Sequence, residues 1–366
     1  MTSIAIQTLP GIPAVGRPRE KYRLAIIGAG RIASHTHIPT VLACPRAELT
    51  ALVDPVESFA RATAERFGIN PVIATRLSEV IGQIDAAIVA TPNHTHCPLA
   101  LECIAAGIPV LIEKPLAISS AEGRQIVDAS EAAGVPVAVG YQTRFMPQAE
   151  MVRDIVRRNR FGTVTRFAYQ FGSLRGWAPV SGYNLDRRSA GGGVLTGNGS
   201  HFLDRLIDWF GYPDEASLVD DSAGGPEANA LASFRYVSNG RNVTGTARFS
   251  RTVALQPGMV LETDQGVVIA LDSRINSVVF RPNDQPGYEM ELRSNSESRS
   301  DGRLHADKQL DEFLDSIAQG RPPMISARVG LESVRLLEHL YAHRQAMPDD
   351  WYRTNPEGSS ALGSGE

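Results

Sequence analysis

The segment from Arg23 to Ala43 constrains this chain more than any other. An apolar run, Arg23 to Ile27, ends in Gly28-Ala29-Gly30-Arg31-Ile32-Ala33 and passes directly into a helical pattern. The form is G-x-G-x-x-A between strand and helix. The first glycine permits a tight turn, the second lets a pyrophosphate approach the backbone, and the third small residue lets helix pack on strand. The free N–H groups and dipole of the helix N-terminus favour phosphate. The same rhythm continues. Apolar runs at Glu48–Val53, Asp85–Ala90, Val110–Ile112 and Val135–Val139 alternate with helical stretches at Ser58–Phe67, Cys97–Ala106 and Ala121–Ala133. Such alternation means parallel strands with helical crossovers, and strands this apolar are buried on both faces. Residues 21–145 are therefore predicted to form an α/β, Rossmann dinucleotide-binding domain.

After Gln142 the texture changes. A helix is predicted at Gln148–Arg158. β-type runs follow at Thr163–Phe171, Ala230–Tyr236, Asn242–Phe249, Gly258–Asp264, Gly266–Leu271 and Ser277–Arg281, read as antiparallel, with Asp264-Gln265-Gly266 suited to a hairpin. Helical periodicity returns at Asp307–Ala318 and Leu331–Arg344. Residues 146–346 are read as a second domain, 1–20 as a loose extension with Pro10, Pro13 and Pro18 and no signal-peptide pattern, and 347–366 as a disordered tail.

With 366 residues, the chain is long enough for two domains that need no covalent staples. A net charge of -4 gives no reason to expect nucleic acid, and no apolar run is long enough to span a bilayer. Cys44, Cys97 and Cys103 are odd in number and match no zinc spacing, so neither a metal nor a disulfide framework is expected. The expected compartment is the cytoplasm. Asp54 ends the second strand, where an acid bonds the adenosine ribose hydroxyls and repels a 2′-phosphate; NAD is expected over NADP, with Arg31 and Arg61 as the cations that could reach a phosphate.

Two further segments carry a resemblance. The third strand runs into Thr91-Pro92-Asn93-His94-Thr95-His96 and the fourth into Glu113-Lys114-Pro115, with Gly140-Tyr141-Gln142-Thr143-Arg144-Phe145 behind and Gly191-Gly192-Gly193 and His201 further on. The combination resembles the glucose–fructose oxidoreductase, inositol dehydrogenase and rhizopine-catabolism (Gfo/Idh/MocA) family, over almost the whole chain from Arg23. The resemblance implies a C-terminal α+β domain with an open, mostly antiparallel sheet that binds substrate and builds a homodimer or homotetramer. It implies hydride transfer between nicotinamide and a secondary alcohol or ketone carbon of a sugar, sugar derivative or cyclitol. It also implies cofactor contacts from Gly28, Gly30, Arg31, Ile32, Asp54, Thr91, Pro92, Asn93, His96, Glu113, Lys114 and Gln142.

Lys114 lies at the carboxyl end of a predicted parallel strand, where open α/β sheets place ligands. Desolvation and a neighbouring cation would lower its pKa and let it polarise a reacting oxygen. His201 titrates near neutrality and could take the hydroxyl proton; its catalytic reading rests on the resemblance. Arg144, Trp177, Tyr183, Arg175 and Asn198 are candidate substrate contacts through stacking, ion pairing or hydrogen bonding. The chain departs from the family at Gly197, where members carry an aspartate four residues before the histidine. Asn198 could reach the same face without a charge, and Asp204 is read as serving its helix. Two other readings stay open: a sugar enzyme that oxidises its substrate transiently with bound NAD to allow elimination or glycosidic cleavage, and a nucleotide-binding relative with reduced catalysis.

Overall fold

The structure is a computed structural model that describes residues 20–174, 182–237, 240, 242–295 and 305–348. The expected N-terminal extension and C-terminal tail lie outside the described residues, apart from Glu20, Met347 and Pro348, as do Arg175 and Trp177.

The first sheet is built from β1 (Tyr22–Ile27), β2 (Ala47–Val53), β3 (Val72–Ala74), β4 (Ala86–Val89), β5 (Val110–Ile112) and β6 (Val137–Val139). Its strands are all parallel, in the order β3-β2-β1-β4-β5-β6. Connections run through α1 (Ile38–Ala43), α2 (Glu57–Phe67), α3 (His96–Ala105) and α4 (Ser120–Ala133). The order reverses between β1 and β4, and the crevice outside the carboxyl ends at that point is where such sheets receive ligands. Every residue of β4, β5 and β6 is buried, as their unbroken apolar sequences require.

The second sheet follows α5 (Pro147–Arg158) and holds β7 (Val164–Gly172), β8 (Glu215–Asp220), β9 (Asn229–Tyr236), β10 (Val243–Ser250), β11 (Leu255–Thr263), β12 (Gly266–Leu271), β13 (Ser277–Pro282), β14 (Met290–Arg293) and β15 (Arg344–Ala346). The order is β14-β13-β12-β11-β7-β10-β9-β8-β15. The sheet is mostly antiparallel, as the resemblance implies. The all-antiparallel reading of the individual runs needs correction: β7 pairs with β10 in parallel. Between them the chain carries α6 (Arg187–Ala190), α7 (Ser200–Phe210), β8 and β9, the long excursion that a parallel neighbour demands. β15 also pairs with β8 in parallel.

One face of this sheet is covered by α5, α7 and the C-terminal helix α9 (Ala327–Ala342), which follows α8 (Ala306–Gln319). Inward residues of β7 meet inward residues of α7: Tyr169 stacks on Phe202 at 4.1 Å and Phe167 on Phe210 at 5.3 Å. Burying each such ring contributes about 1.5–3 kcal/mol. The last two helices tie the sheets together. Leu310, Phe313 and Leu314 of α8 pack with Leu24, Ile26 and Ile88 of the first sheet, and Arg46 holds Asp311 and Asp315 at 3.1 and 2.5 Å. Helix α9 puts Leu331 and Val334 in the core beside β6 and Leu336, Leu337 and Leu340 in the core of the second sheet. No described helix is long and apolar enough to cross a membrane. Among the described residues no cluster of His, Cys, Asp or Glu could hold a metal, and the three cysteines are buried free thiols, with Cys103 pushed up to about 12 by burial.

Candidate active site

Gly28 turns the chain at φ +96°, and a Cβ there would lie 2.6 Å from the Ala90 carbonyl oxygen. Nothing but glycine fits between the ends of β1 and β4. At Gly30 the reverse holds: a Cβ would meet nothing within 4 Å. The first glycine is thus required by the protein, and the second leaves backbone open to a ligand. Ala33 is fully buried against the sheet. The Asp54 carboxylate lies over this turn, accepting from the Ala29 and Val56 N–H groups at 2.9 Å each. Arg31 is exposed and Ile32 half-buried. Arg61 is turned to Glu57, its Nε 2.7 Å from Oε1.

The turn does not enter an α-helix at once. Residues Ala33–His37 form a π turn before α1, and this swings His37 inward. Its Nε2 stands 2.8 Å from Glu113 Oε1, with both side chains buried. Glu113 Oε2 accepts from its neighbour's N–H, that of Lys114, at 3.1 Å. Burial alone would raise the Glu113 pKa; the hydrogen bond and charge of His37 and the charge of Lys114 outweigh it, holding the carboxyl below its usual range.

The loops after β4 and β5 are clamped to each other. His96 is fully buried, with Nδ1 2.7 Å from the Pro115 carbonyl and Nε2 3.0 Å from the Thr91 carbonyl. Burial lowers its pKa against the pull of those carbonyls. A neutral imidazole donates to one of these two carbonyls at a time, and His96, fully buried between them, shapes the site from behind. Thr91 Oγ1 accepts from Thr95 Oγ1 at 2.6 Å, and Asn93 Nδ2 donates to the Ala190 carbonyl at 2.7 Å, linking the Pro92–Asn93 corner to α6. Gln142 is buried, and its Oε1 has no hydrogen-bond partner among the described residues. A buried acceptor calls for a donor, and a bound carboxamide would supply one. The open backbone at Gly30, the Asp54 carboxylate and this orphaned oxygen together fit a nicotinamide dinucleotide.

From the other side come residues of the second domain. Gly191-Gly192-Gly193 leads into a second π turn, Leu195–Gly199, and then α7. The Glu227 carboxylate holds this turn: Oε2 accepts from the Gly193 N–H, and Oε1 from the Leu195 N–H and the Tyr341 hydroxyl, each at 2.8 Å. Lys114 is half-buried where the two halves meet, and its Nζ donates to the Gly197 carbonyl at 2.6 Å. Burial lowers its pKa and Arg251 adds to this, while Glu113 opposes. His201, in the first turn of α7, has a pKa held well below its usual value by burial, then by the charges of Lys114 and Arg205. Its Nδ1 is buried with no partner among the described residues, and its ring meets Tyr141 edge-on at 6.0 Å. A cavity of 280 Å³ lies between α9 and the glycine turn, lined in part by Pro115, Gly191, Thr196, Val334, Leu337 and Tyr341, and neither Lys114 nor His201 lines it.

The remaining candidates divide. Asn198 and Tyr183 are half-buried beside this cluster, Asn198 on the π turn itself and Tyr183 where its charge would act on Arg251. Arg144 is drawn away from it. Its guanidinium makes a buried two-pronged pair with Asp204, Nε to Oδ2 at 2.5 Å and Nη2 to Oδ1 at 2.8 Å. Asp204 therefore serves a contact between domains, not only its own helix. A four-residue spacing puts residues 197 and 201 on one face of an α-helix, but here Leu195–Gly199 is a π turn with an i→i+5 pattern. A Cβ on Gly197 would stand 2.5 Å from Arg251 Nη2. His37, Glu227, Tyr341 and Arg251 were not singled out in the sequence. His37 alone had a local signal, a histidine just past the glycine turn.

A parallel nucleotide-type crevice closed by a second α/β domain defines a two-domain dinucleotide-dependent protein, and the comparisons agree. Residues 22–141 match the model described as oxidoreductase family, NAD-binding Rossmann fold, and residues 153–347 the model of that family's C-terminal alpha/beta domain. The chain belongs to the Gfo/Idh/MocA oxidoreductase family. It is 27% identical to the rhizopine catabolism protein MocA of Rhizobium meliloti, over 51% of this chain and 56% of that protein. It is 36% identical to inositol 2-dehydrogenase 1 of Saccharopolyspora erythraea, over 34% and 38%. The matches thus span little more than half the length of the first curated relatives. Among solved structures, GenD2 from gentamicin A biosynthesis in complex with NAD is 26% identical with TM-score 0.73, covering 91% of this chain and 96% of that one. Levoglucosan dehydrogenase, in complex with NADH and levoglucosan, shares the fold with TM-score 0.77 at 16% identity, covering 88% and 97%.

Proposed function

We propose that this protein is an NAD-dependent dehydrogenase or reductase acting on a secondary alcohol or ketone carbon of a sugar, sugar derivative or cyclitol. The observation that carries the reading is the convergence of Lys114, from the end of β5, and His201, from α7, on the carboxyl edge of the first sheet, where each has its pKa lowered by burial and His201 also by the charge of Lys114. The chemistry the cofactor supplies there is acceptance of hydride at its nicotinamide ring. The chain would hold it through the backbone at Gly28 to Ile32, through Asp54 at the ribose, and through Gln142 Oε1 at the carboxamide.

His201 is neutral near pH 7 because burial and Lys114 hold its pKa down. It can take the proton of the substrate hydroxyl as the carbon gives up hydride; in the reverse direction it returns that proton to the oxygen. Lys114 has donors beyond the one spent on Gly197, since an ammonium carries three. One of these can bond the reacting oxygen and stabilise negative charge that builds on it. Asn198 and Tyr183, half-buried nearby, would bond other hydroxyls. Asp54 favours NAD, since a 2′-phosphate beside its carboxylate would be repelled.

A screen of sugars and cyclitols with NAD and NADP, read by nicotinamide absorbance, tests the reading. Reduction of NAD by at least one such alcohol, with higher kcat/KM than for NADP, is expected. A cofactor preference for NADP, or redox activity confined to compounds without a hydroxyl-bearing ring, would overturn it.

A further inference from the structure

Helix α8 crosses one face of the first sheet from its carboxyl edge to its amino edge. Asp311 and Asp315 meet Arg46, which stands just before β2. Gln309 Nε2 donates to the carbonyl of Val139, the last residue of β6, at 3.1 Å. His305 stands one turn earlier, and its carbonyl accepts from the Gln309 N–H at 3.2 Å. Four helical residues rise about 6 Å, so His305 lies past the carboxyl edge, on the crevice side. There α8 packs on the turn Gln142–Phe145 that follows β6.

His305 is 2% exposed, and neither of its ring nitrogens has a hydrogen-bond partner among the described residues. Burying an imidazole with both nitrogens unpaired is costly. The backbone adds to that cost, because φ is +56°, a left-handed conformation that a side chain disfavours. Asn159 also has a positive φ, but it closes the C-terminus of α5, where such a turn ends a helix. His305 instead precedes a helix, and its side chain does not cap it. Burial, then the charge of Lys308, lowers its pKa against the pull of Asp307, so near pH 7 the ring is neutral and carries one N–H. On the facing turn, Gln142 Oε1 and Thr143 Oγ1 are likewise buried without partners among the described residues. Unspent donors and acceptors thus gather at one corner of the crevice, where the backbone is also strained. Buried polar groups are otherwise paired, and strain of this kind collects at ligand clamps.

We propose that His305 is a cofactor-binding residue that brackets the nicotinamide carboxamide together with Gln142, its ring N–H donating to the carboxamide oxygen while Gln142 Oε1 accepts from the amide nitrogen. The inference rests on the use of NAD and on the carboxamide reading of Gln142. A carboxamide carries an acceptor and a donor on one carbon, the complement of these two side chains. Held at both atoms, the nicotinamide ring cannot make a half-turn about its glycosidic bond without losing both hydrogen bonds. One face of the ring is then kept toward the substrate wall.

The test is equilibrium binding to the full protein, by calorimetry, of NAD and of ADP-ribose, which lacks the nicotinamide. His305→Ala should weaken NAD about tenfold, as for loss of a buried hydrogen bond that leaves its partner unpaired, and ADP-ribose by less than about twofold. His305→Asn tolerates the left-handed backbone and keeps an amide N–H, and it should recover part of the NAD affinity. ADP-ribose binding by each variant reports that the fold is intact. Equal NAD affinity in His305→Ala and the unsubstituted protein overturns the inference. An equal loss for both ligands also overturns it, since that marks a structural role. The dehydrogenase reading stands or falls separately, on reduction of NAD by an alcohol.

Discussion

The chain turns on glycines at both walls of its crevice, and the two turns are built on opposite plans. The cofactor wall, Gly28 to Ala33, is local. Its glycines and buried alanine act through the strand before and the helix after, and its acid, Asp54, arrives at the end of the next strand. The substrate wall, Gly191 to Gly199, is held from afar: by Glu227 from the strap before β9, Tyr341 from α9, Arg251 from the end of β10 and Lys114 from the other domain. The first wall can be recognised from spacing. The second is a meeting of residues whose sequence separations carry no pattern.

The comparison is broken most severely at Lys114, which reaches from the end of β5 to the Gly197 carbonyl of the substrate wall. Lys114→Met should lower kcat by about 10²-fold or more, as expected for loss of a positioned electrostatic or proton-handling group. Circular dichroism should show the fold unchanged, and near wild-type kcat on the best substrate would remove Lys114 from the chemistry. Gly28→Ala attacks the cofactor wall alone. A Cβ at positive φ and 2.6 Å from the Ala90 oxygen cannot be relieved by a side-chain rotation. NAD should bind roughly tenfold more weakly, from a strain of about 1–3 kcal/mol; unaltered affinity by fluorescence titration would contradict the tightness of that turn. Glu227→Gln attacks the substrate wall alone. It replaces one of the two accepting oxygens with an NH2 donor, so one of the bonds to Gly193 N–H or to Leu195 N–H and the Tyr341 hydroxyl is lost, costing about 1–3 kcal/mol in unfolding experiments, while NAD affinity should stay within twofold, as expected if the walls are independent.

The smallest effect concerns pH. The folded-state pKa of His201 and of His96 is lowered by burial. Between those values and the unfolded value near 6.5, the unfolded chain binds more protons, so stability should fall as pH drops below about 6.5. For alcohol oxidation the neutral imidazole is the active form, so kcat/KM should rise with pH through a limb lying below about 6.5 and be flat above it. His201→Ala should abolish that limb. A limb that persists in the variant would assign proton transfer to another group.

Legibility in the sequence follows the same division. The strands β1, β2, β4, β5 and β6 are found within two residues because unbroken apolar runs between turn signals have one reading in an α/β pattern. β3 and β15, three residues each, are too short for periodicity to register, and β8 has a half-exposed alternation broken by Asp220. The parallel pairing of β7 with β10 depends on chain threading, which local pattern does not encode. In the site, Lys114 was legible from its strand-end context and Gly197 as a departure from the family's aspartate. What fills the space at Gly197 was not, because Arg251 is an ordinary strand-end arginine until the sheet brings it across the crevice.

The central claim is that the two walls meet to move hydride between a carbon and NAD. It is tested most directly with a substrate deuterated at the reacting carbon, following the nicotinamide by mass spectrometry during turnover. The account predicts that deuterium accumulates in released NADH in step with ketone formation. Product formed while NADH neither accumulates nor carries deuterium would contradict it.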